Sequence, residues 1–240
     1  MHVKKTIGLI LSFVGLAACE TVPEWGYSGE LGPANWGNLS PAFATCAAGV
    51  AQSPIDLGQV SIKGEVGVTT NYGSAPITVI DSGHGVKADI PLGQVMTSGD
   101  KRFGLLQFHF HTPSEHVING RSYPLAVHLV HATQTGELGV LGVFFEEGPA
   151  HPTLDQVINN LGAPAGTQTF DTNSLLPAEF NVFRYQGSLT TPPCTEGVNW
   201  HVATKSLTAS RAQIAAFHAV SGANARPVLP LGARALIGPK

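Results

Sequence analysis

The chain is short of charge, of cysteine and of long apolar runs. Its 240 residues carry 13 Lys and Arg against 16 Asp and Glu, a formal net charge of −3. Setting aside Lys4 and Lys5 near the N-terminus takes the remainder to −5. A mildly acidic chain argues against nucleic-acid binding, which needs a basic surface. The apolar run at residues 6–18 is too short for a comfortable membrane span. No linker-like, charge-run or low-complexity stretch divides the chain, and no internal repeat is evident, so one domain of about 220 residues is expected. Helical periodicity is also scarce. One pattern covers 152–161; another begins near Ser210, where Ser210 and Gln213 form a capping-box pair ahead of Ile214 and Phe217.

Cysteine is limited to Cys19, Cys46 and Cys194. An odd thiol count in an exported protein needs an explanation. Lys4 and Lys5, the apolar run and Leu16-Ala17-Ala18-Cys19 read as an export signal over residues 1–18 ending in a bacterial lipobox, with Cys19 lipidated and first in the mature chain. Residues 19–24 then form a short tether and 25–240 the domain. An ordinary signal peptide with an incidental Cys19 is the competing reading. Lipidation of Cys19 leaves Cys46 and Cys194 as a pair, which an oxidising envelope compartment favours as a disulfide; two buried free thiols are the alternative.

What the chain has in quantity is turn residues, 28 Gly and 17 Pro, and short alternating segments between them. Strands are expected at 77–80, 86–90, 105–111, 125–131, 138–145 and 198–203, giving a β-dominated domain with peripheral helices. In Gln107-Phe108-His109-Phe110-His111 the period of two puts Gln107, His109 and His111 on one face and the phenylalanines on the other. In the next strand Ala126, His128 and Val130 share a face. If the two strands pair antiparallel, His109, His111 and His128 converge. Three neutral imidazoles with an open fourth position are what a catalytic zinc needs. A cupin-like barrel holding iron or manganese fits these histidines equally well.

The wider chain resembles the α-class carbonic anhydrases of bacterial type over roughly residues 25–234. The likeness is carried by Trp25-Gly26-Tyr27, Asn35-Trp36, Gln52-Ser53-Pro54-Ile55-Asp56, Ser114-Glu115-His116, the stretch from Ser188 through Thr190-Thr191-Pro192-Pro193-Cys194 to Glu196, Asn224 and Arg226-Pro227. The resemblance implies a single domain with a large central, mostly antiparallel twisted sheet, short helices outside it, and one Zn²⁺ at the base of a cone-shaped cleft. It implies reversible hydration of carbon dioxide to bicarbonate and a proton, with ester hydrolysis as a side activity. A non-catalytic carbonic-anhydrase-related binding protein is the alternative, although such relatives usually lack a zinc histidine.

The resemblance also assigns roles. Thr190 is the gatekeeper and Glu115 stands behind it. A carboxylate only accepts, so the Thr190 hydroxyl donates to Glu115 and its oxygen accepts from the metal-activated nucleophile. Val130, Val140, Leu189 and Trp200 wall a small apolar substrate pocket, with Thr191 near the product. His84, between Gly83 and Gly85, is the proton shuttle, suited by an ordinary pKa near 6.5 and expected to swing freely. Lys87 stands where the family usually has a neutral amide, and its charge is expected to depress His84. Gln107 and the Asn224 backbone support His109 and His111. For His128 the family uses a Glu two residues earlier, a position held here by Ala126. Loss of such a partner costs about 10–100-fold in metal affinity or activity, and a buried water is expected to stand in. Cis peptides are expected at Ser53–Pro54 and Pro192–Pro193.

Overall fold

The computed structural model describes residues 23–166 and 168–239. Within them, thirteen strands alternate with turns: β1 (Ile62–Lys63), β2 (Val68–Thr70), β3 (Ser74–Asp81), β4 (Val86–Asp89), β5 (Val95–Ser98), β6 (Lys101–His111), β7 (Leu125–Ala132), β8 (Leu138–Glu147), β9 (Gln168–Asp171), β10 (Val182–Ser188), β11 (Glu196–Ala203), β12 (Leu207–Ala209) and β13 (Ile237–Gly238). They form one sheet in the order β1-β13-β10-β11-β8-β7-β6-β4-β3-β9, with β12 on β8 and the β2–β5 pair on β6. Pairings are antiparallel except β1–β13, β8–β11 and β8–β12. The mostly antiparallel central sheet therefore agrees with the expectation. The six expected strands form; five run longer than expected, and β4 ends one residue earlier, at Asp89.

The helices are short and lie outside the sheet. α1 (Trp36–Leu39) and α2 (Thr45–Ala48) are single turns, and α3 (Pro152–Asn159) starts on a proline, whose missing N–H is harmless in a first turn. α4 (Arg211–Ser221) has the expected capping box at Ser210 and Gln213. The same Gln213 amide donates to the Asp155 carboxylate at 2.6 Å and to the His151 carbonyl at 2.9 Å. The cap of one helix thus also locks it to the other.

Two apolar clusters cover the two faces of the sheet. Under one face lie Phe103, Leu105, Phe108, Phe110, Leu129, Phe145, Phe170 and Phe217; on the other lie Ile55, Tyr123, Ala126, Val140, Phe144, Tyr185 and Trp200. Full burial of one such side chain stabilises by roughly 1.5–3 kcal/mol. β6 shows how the site is aimed. Strict alternation would put Phe103 and Leu105 on the same face as His109 and His111. A bulge intervenes: the β6–β7 register shifts between Leu105 and Gln107, leaving Leu106 unpaired and 38% exposed. An extra residue inverts the side-chain parity beyond it. Leu105 and Phe108 can then both enter the core, while Gln107, His109 and His111 face the opposite way.

Candidate metal centre and active-site cleft

The β6–β7 pairing sets His109 opposite His128 and His111 opposite Ala126. One ring nitrogen from each of His109, His111 and His128 comes within 4.8 Å of the other two. Each ring is held from outside. His109 Nδ1 donates to Gln107 Oε1 at 3.0 Å, and His111 Nδ1 to the Asn224 carbonyl at 2.8 Å. Asn224 is fixed in turn: its Oδ1 accepts from the Thr112 amide, and its Nδ2 donates to the carbonyls of Phe110 and His84. No side chain or carbonyl among the described residues accepts from His128, so Ala126 leaves that ring without a direct outer partner.

The donor set fits a metal. His111 Nε2 is fully buried with no hydrogen-bond partner, a costly state for a polar atom unless something binds it. Burial holds His109 and His128 well below the ordinary imidazole range. The neighbouring imidazoles add to this, and so does Lys87 for His109. Both rings are therefore neutral, the form that binds a metal.

Glu115 lies beneath the triad, 1% exposed. Its Oε1 accepts from the Arg226 amide at 3.0 Å. Its Oε2 lies 3.4 Å from His111 Nε2 and 3.8 Å from His128 Nδ1. Burial pushes its pKa up, whereas His111, the Thr190 hydroxyl and Arg226 pull it down. Thr190 is thus a polar neighbour of Glu115, whose Oε2 is buried without a hydrogen-bond partner. Arg226 fastens the rest. Its guanidinium donates to Gln52 Oε1 and to the carbonyls of Ser53 and Cys46, and Gln52 Nε2 donates to the Cys194 carbonyl. Cys46 and Cys194 are joined by a disulfide across 148 residues. The bridge therefore lies in the same network that seats Glu115 and the Thr190 loop. The sequence assigns Arg226 no task; Arg226-Pro227 close after Asn224 is the signal it offers. The peptides Ser53–Pro54 and Pro192–Pro193 are cis, as is Thr112–Pro113.

Above the triad are two connected openings. One, about 110 Å³, is lined by Val130, Val140, Leu189, Thr190, Thr191 and Trp200 together with Gln107, His109 and His128. All the expected pocket residues meet there. The other, about 190 Å³, is lined by Trp25, Tyr27, His84, Lys87, His109 and Thr191 among others.

Two expectations about its rim are corrected. His84 does not swing free: its ring stacks on Trp25 with centroids 3.6 Å apart and planes 12° from parallel. Gly85 is required by close approach, since a Cβ there would meet Asn224 Nδ2 at 2.7 Å with φ at +146°. The Lys87 charge also misses its expected target. His84 is depressed by burial, with Asp81 opposing, and Lys87 instead acts on His109.

Among the described residues no helix is long and apolar enough to cross a membrane. The expected export signal and Cys19 lie outside the described residues.

Comparison with known proteins agrees with this geometry. The family model "Eukaryotic-type carbonic anhydrase" matches residues 31–236. A carbonic anhydrase of Nostoc sp. is 38% identical over 97% of this chain and 95% of its own length. The α-carbonic anhydrase of Thermovibrio ammonificans, solved with the inhibitor sulfanilamide, superposes with a TM-score of 0.82 at 40% identity, covering 90% of this chain and 100% of that one. Dioscorin, solved with ascorbate, also superposes at 0.82, with 32% identity over 89% of this chain and 97% of its own. A match across most of the length and a shared mostly-β fold, around three histidines built to hold a metal, make this chain a member of the eukaryotic-type, or α-class, carbonic anhydrase family.

Proposed function

We propose that the protein is a carbonic anhydrase of the bacterial cell envelope, converting carbon dioxide and water reversibly to bicarbonate and a proton. His109, His111 and His128 would hold one Zn²⁺. The observation that carries the reading is the buried, unpartnered His111 Nε2 beside two neutral imidazole ligands. Bound there, zinc supplies Lewis-acid activation of water near neutral pH.

The chain's own groups do the rest. Gln107 and Asn224 orient His109 and His111. The Thr190 hydroxyl gives its proton to Glu115, so the Thr190 oxygen faces the cleft as an acceptor and selects a nucleophile that carries a proton. Val130, Val140, Leu189 and Trp200 offer an apolar surface to an uncharged substrate, with Thr191 at the product side. His84 carries the released proton from the cleft to buffer, starting from its seat on Trp25.

On this reading residues 25–240 are the catalytic domain and 19–24 a tether. Residues 1–18 direct export, and lipidated Cys19 is the membrane attachment. The Cys46–Cys194 bridge supports an oxidising compartment, since such bonds persist there. The likeness to dioscorin, solved with ascorbate, favours a second reading, a carbonic-anhydrase-related binding protein on the same fold. The intact triad with Thr190 and Glu115 supports catalysis over it. The test is zinc content measured beside stopped-flow carbon dioxide hydration, with and without chelator, on the form starting at Glu20. One zinc per chain and chelator-sensitive hydration are expected. Material that stays inert after zinc is supplied would overturn the reading.

A further inference from the structure

Among the described residues lining the two openings over the imidazoles, Lys87 is the only Lys or Arg, and no Asp or Glu joins it. β4 places it. Lys87 stands opposite His109 in the antiparallel β4–β6 pair, and Asp89 stands opposite Gln107. Directly opposed residues on one face bring their Cβ atoms to about 4.5–5.5 Å, so the lysine stem rises beside the ligand side chain and not on a distant rim. Its field reaches the site, because Lys87 lines the same opening as His109 and His111. Asp89 Oδ1 lies 3.0 Å from Lys87 Nζ, tethering the ammonium along the strand and offsetting part of its charge. Lys87 is 31% and Asp89 51% exposed at the side chain. An ammonium has three donors, and this one contact leaves others for a ligand in the cleft.

We infer that Lys87 sets the affinity of the cleft for small monovalent anions, bicarbonate among them, and does nothing for uncharged carbon dioxide. Naming bicarbonate rests on the carbonic anhydrase reading above; the charge argument does not. Asp89 acts as the counterweight. Removing the lysine charge weakens anion binding, and removing the aspartate charge strengthens it. A merely structural strand position would not give opposite signs at two neighbouring residues.

Thiocyanate is the probe. Its affinity for the zinc-loaded protein is measured by calorimetric titration at low ionic strength and compared with its inhibition of carbon dioxide hydration. Screened attraction across several ångströms of partly hydrated cleft predicts a change of about three- to fivefold. Lys87→Gln should weaken binding by that factor, Lys87→Arg should retain it, and Asp89→Asn should tighten it. The differences should shrink as ionic strength rises towards about 0.5 M, where the screening length is only a few ångströms. Equal affinities for wild type and Lys87→Gln, or shifts of the same sign for Lys87→Gln and Asp89→Asn, overturn the inference. The two readings fail separately. Inert wild type with diverging affinities sinks the enzyme reading alone, whereas active wild type with coincident affinities sinks this one alone.

Discussion

His109 and His128 face each other directly across the β6–β7 ladder, their ring centroids 5.4 Å apart and their planes 87° from parallel. Two ligands of the candidate metal centre are therefore a single cross-strand pair, and the third is the next same-face residue of β6. Removing either member of the pair should empty the site. His128→Ala is expected to purify with little zinc and to lose activity by more than the ~10–100-fold typical of an outer-partner loss. Metal analysis of the purified variant checks this; full zinc occupancy would count against the assignment.

Ala126 leaves His128 as the ligand ring without a protein acceptor among the described residues. Ala126→Glu should supply one, slowing zinc release to a chelator by about 10–100-fold. The residue is 2% exposed beside Phe144 and Trp200, so a melting curve should accompany the chelator assay. Zinc release at the wild-type rate from a folded variant would mean the position does not tune the metal.

Reduction of Cys46–Cys194 should lower both stability and activity. In the chain-entropy account, a bridge closing a loop of this length is worth up to about 5 kcal/mol, and each kcal/mol shifts Tm by about 2–4 °C at this size. Activity falls as well because Gln52 and Arg226 bond to the carbonyls of both cysteines, and Arg226 seats Glu115. A Cys194→Ser variant with unchanged Tm and turnover would contradict the coupling.

Acid should unfold the protein through two buried histidines outside the triad. Burial pushes His131 down to about 3 and His201 down to about 4. The fold holds both neutral, while the unfolded chain takes up protons below about pH 6.5. Their contribution is thus complete above that pH and is lost as pH falls from about 6.5 towards the folded values, at about 1.4 kcal/mol per pH unit per histidine. His201 Nδ1 is also buried without a partner. Urea midpoints at pH 7 and pH 5 should differ less in His201→Gln than in wild type.

His84→Ala should lower kcat with kcat/KM nearly intact, because proton export follows the chemical step. A loss of about 10²-fold at low buffer is the lower end for a positioned acid–base group. Added imidazole should restore turnover; a variant indifferent to buffer would remove His84 from the proton path.

The histidine triad was legible because strand alternation is local: His109 and His111 need only a period of two, and His128 a neighbouring strand of the same kind. The helix starts at Pro152 and Ser210 were legible for the same reason, since caps are written within four residues. β10 was not. Val182–Ser188 mixes Arg184, Tyr185 and Gln186 with apolar residues, a pattern with no clear period, and it becomes a central strand only through pairing with β11. Nor could the stacking of His84 on Trp25 be read, because no local rule joins residues 59 positions apart.

By itself the amino-acid order determined which side chains alternate, where chains turn, and that three imidazoles, an acid–hydroxyl pair and two spare cysteines were available. Tertiary structure alone decided that Leu106 bulges and so lets Phe103 and Leu105 share the core with Phe108 and Phe110, that Lys87 comes to stand opposite His109, and that Arg226 ties the disulfide to Glu115. Side-chain direction along a strand follows from local stereochemistry. Parity after a bulge, the reach of a charge and the closing of a distant hydrogen-bond network depend on which strands come to lie side by side.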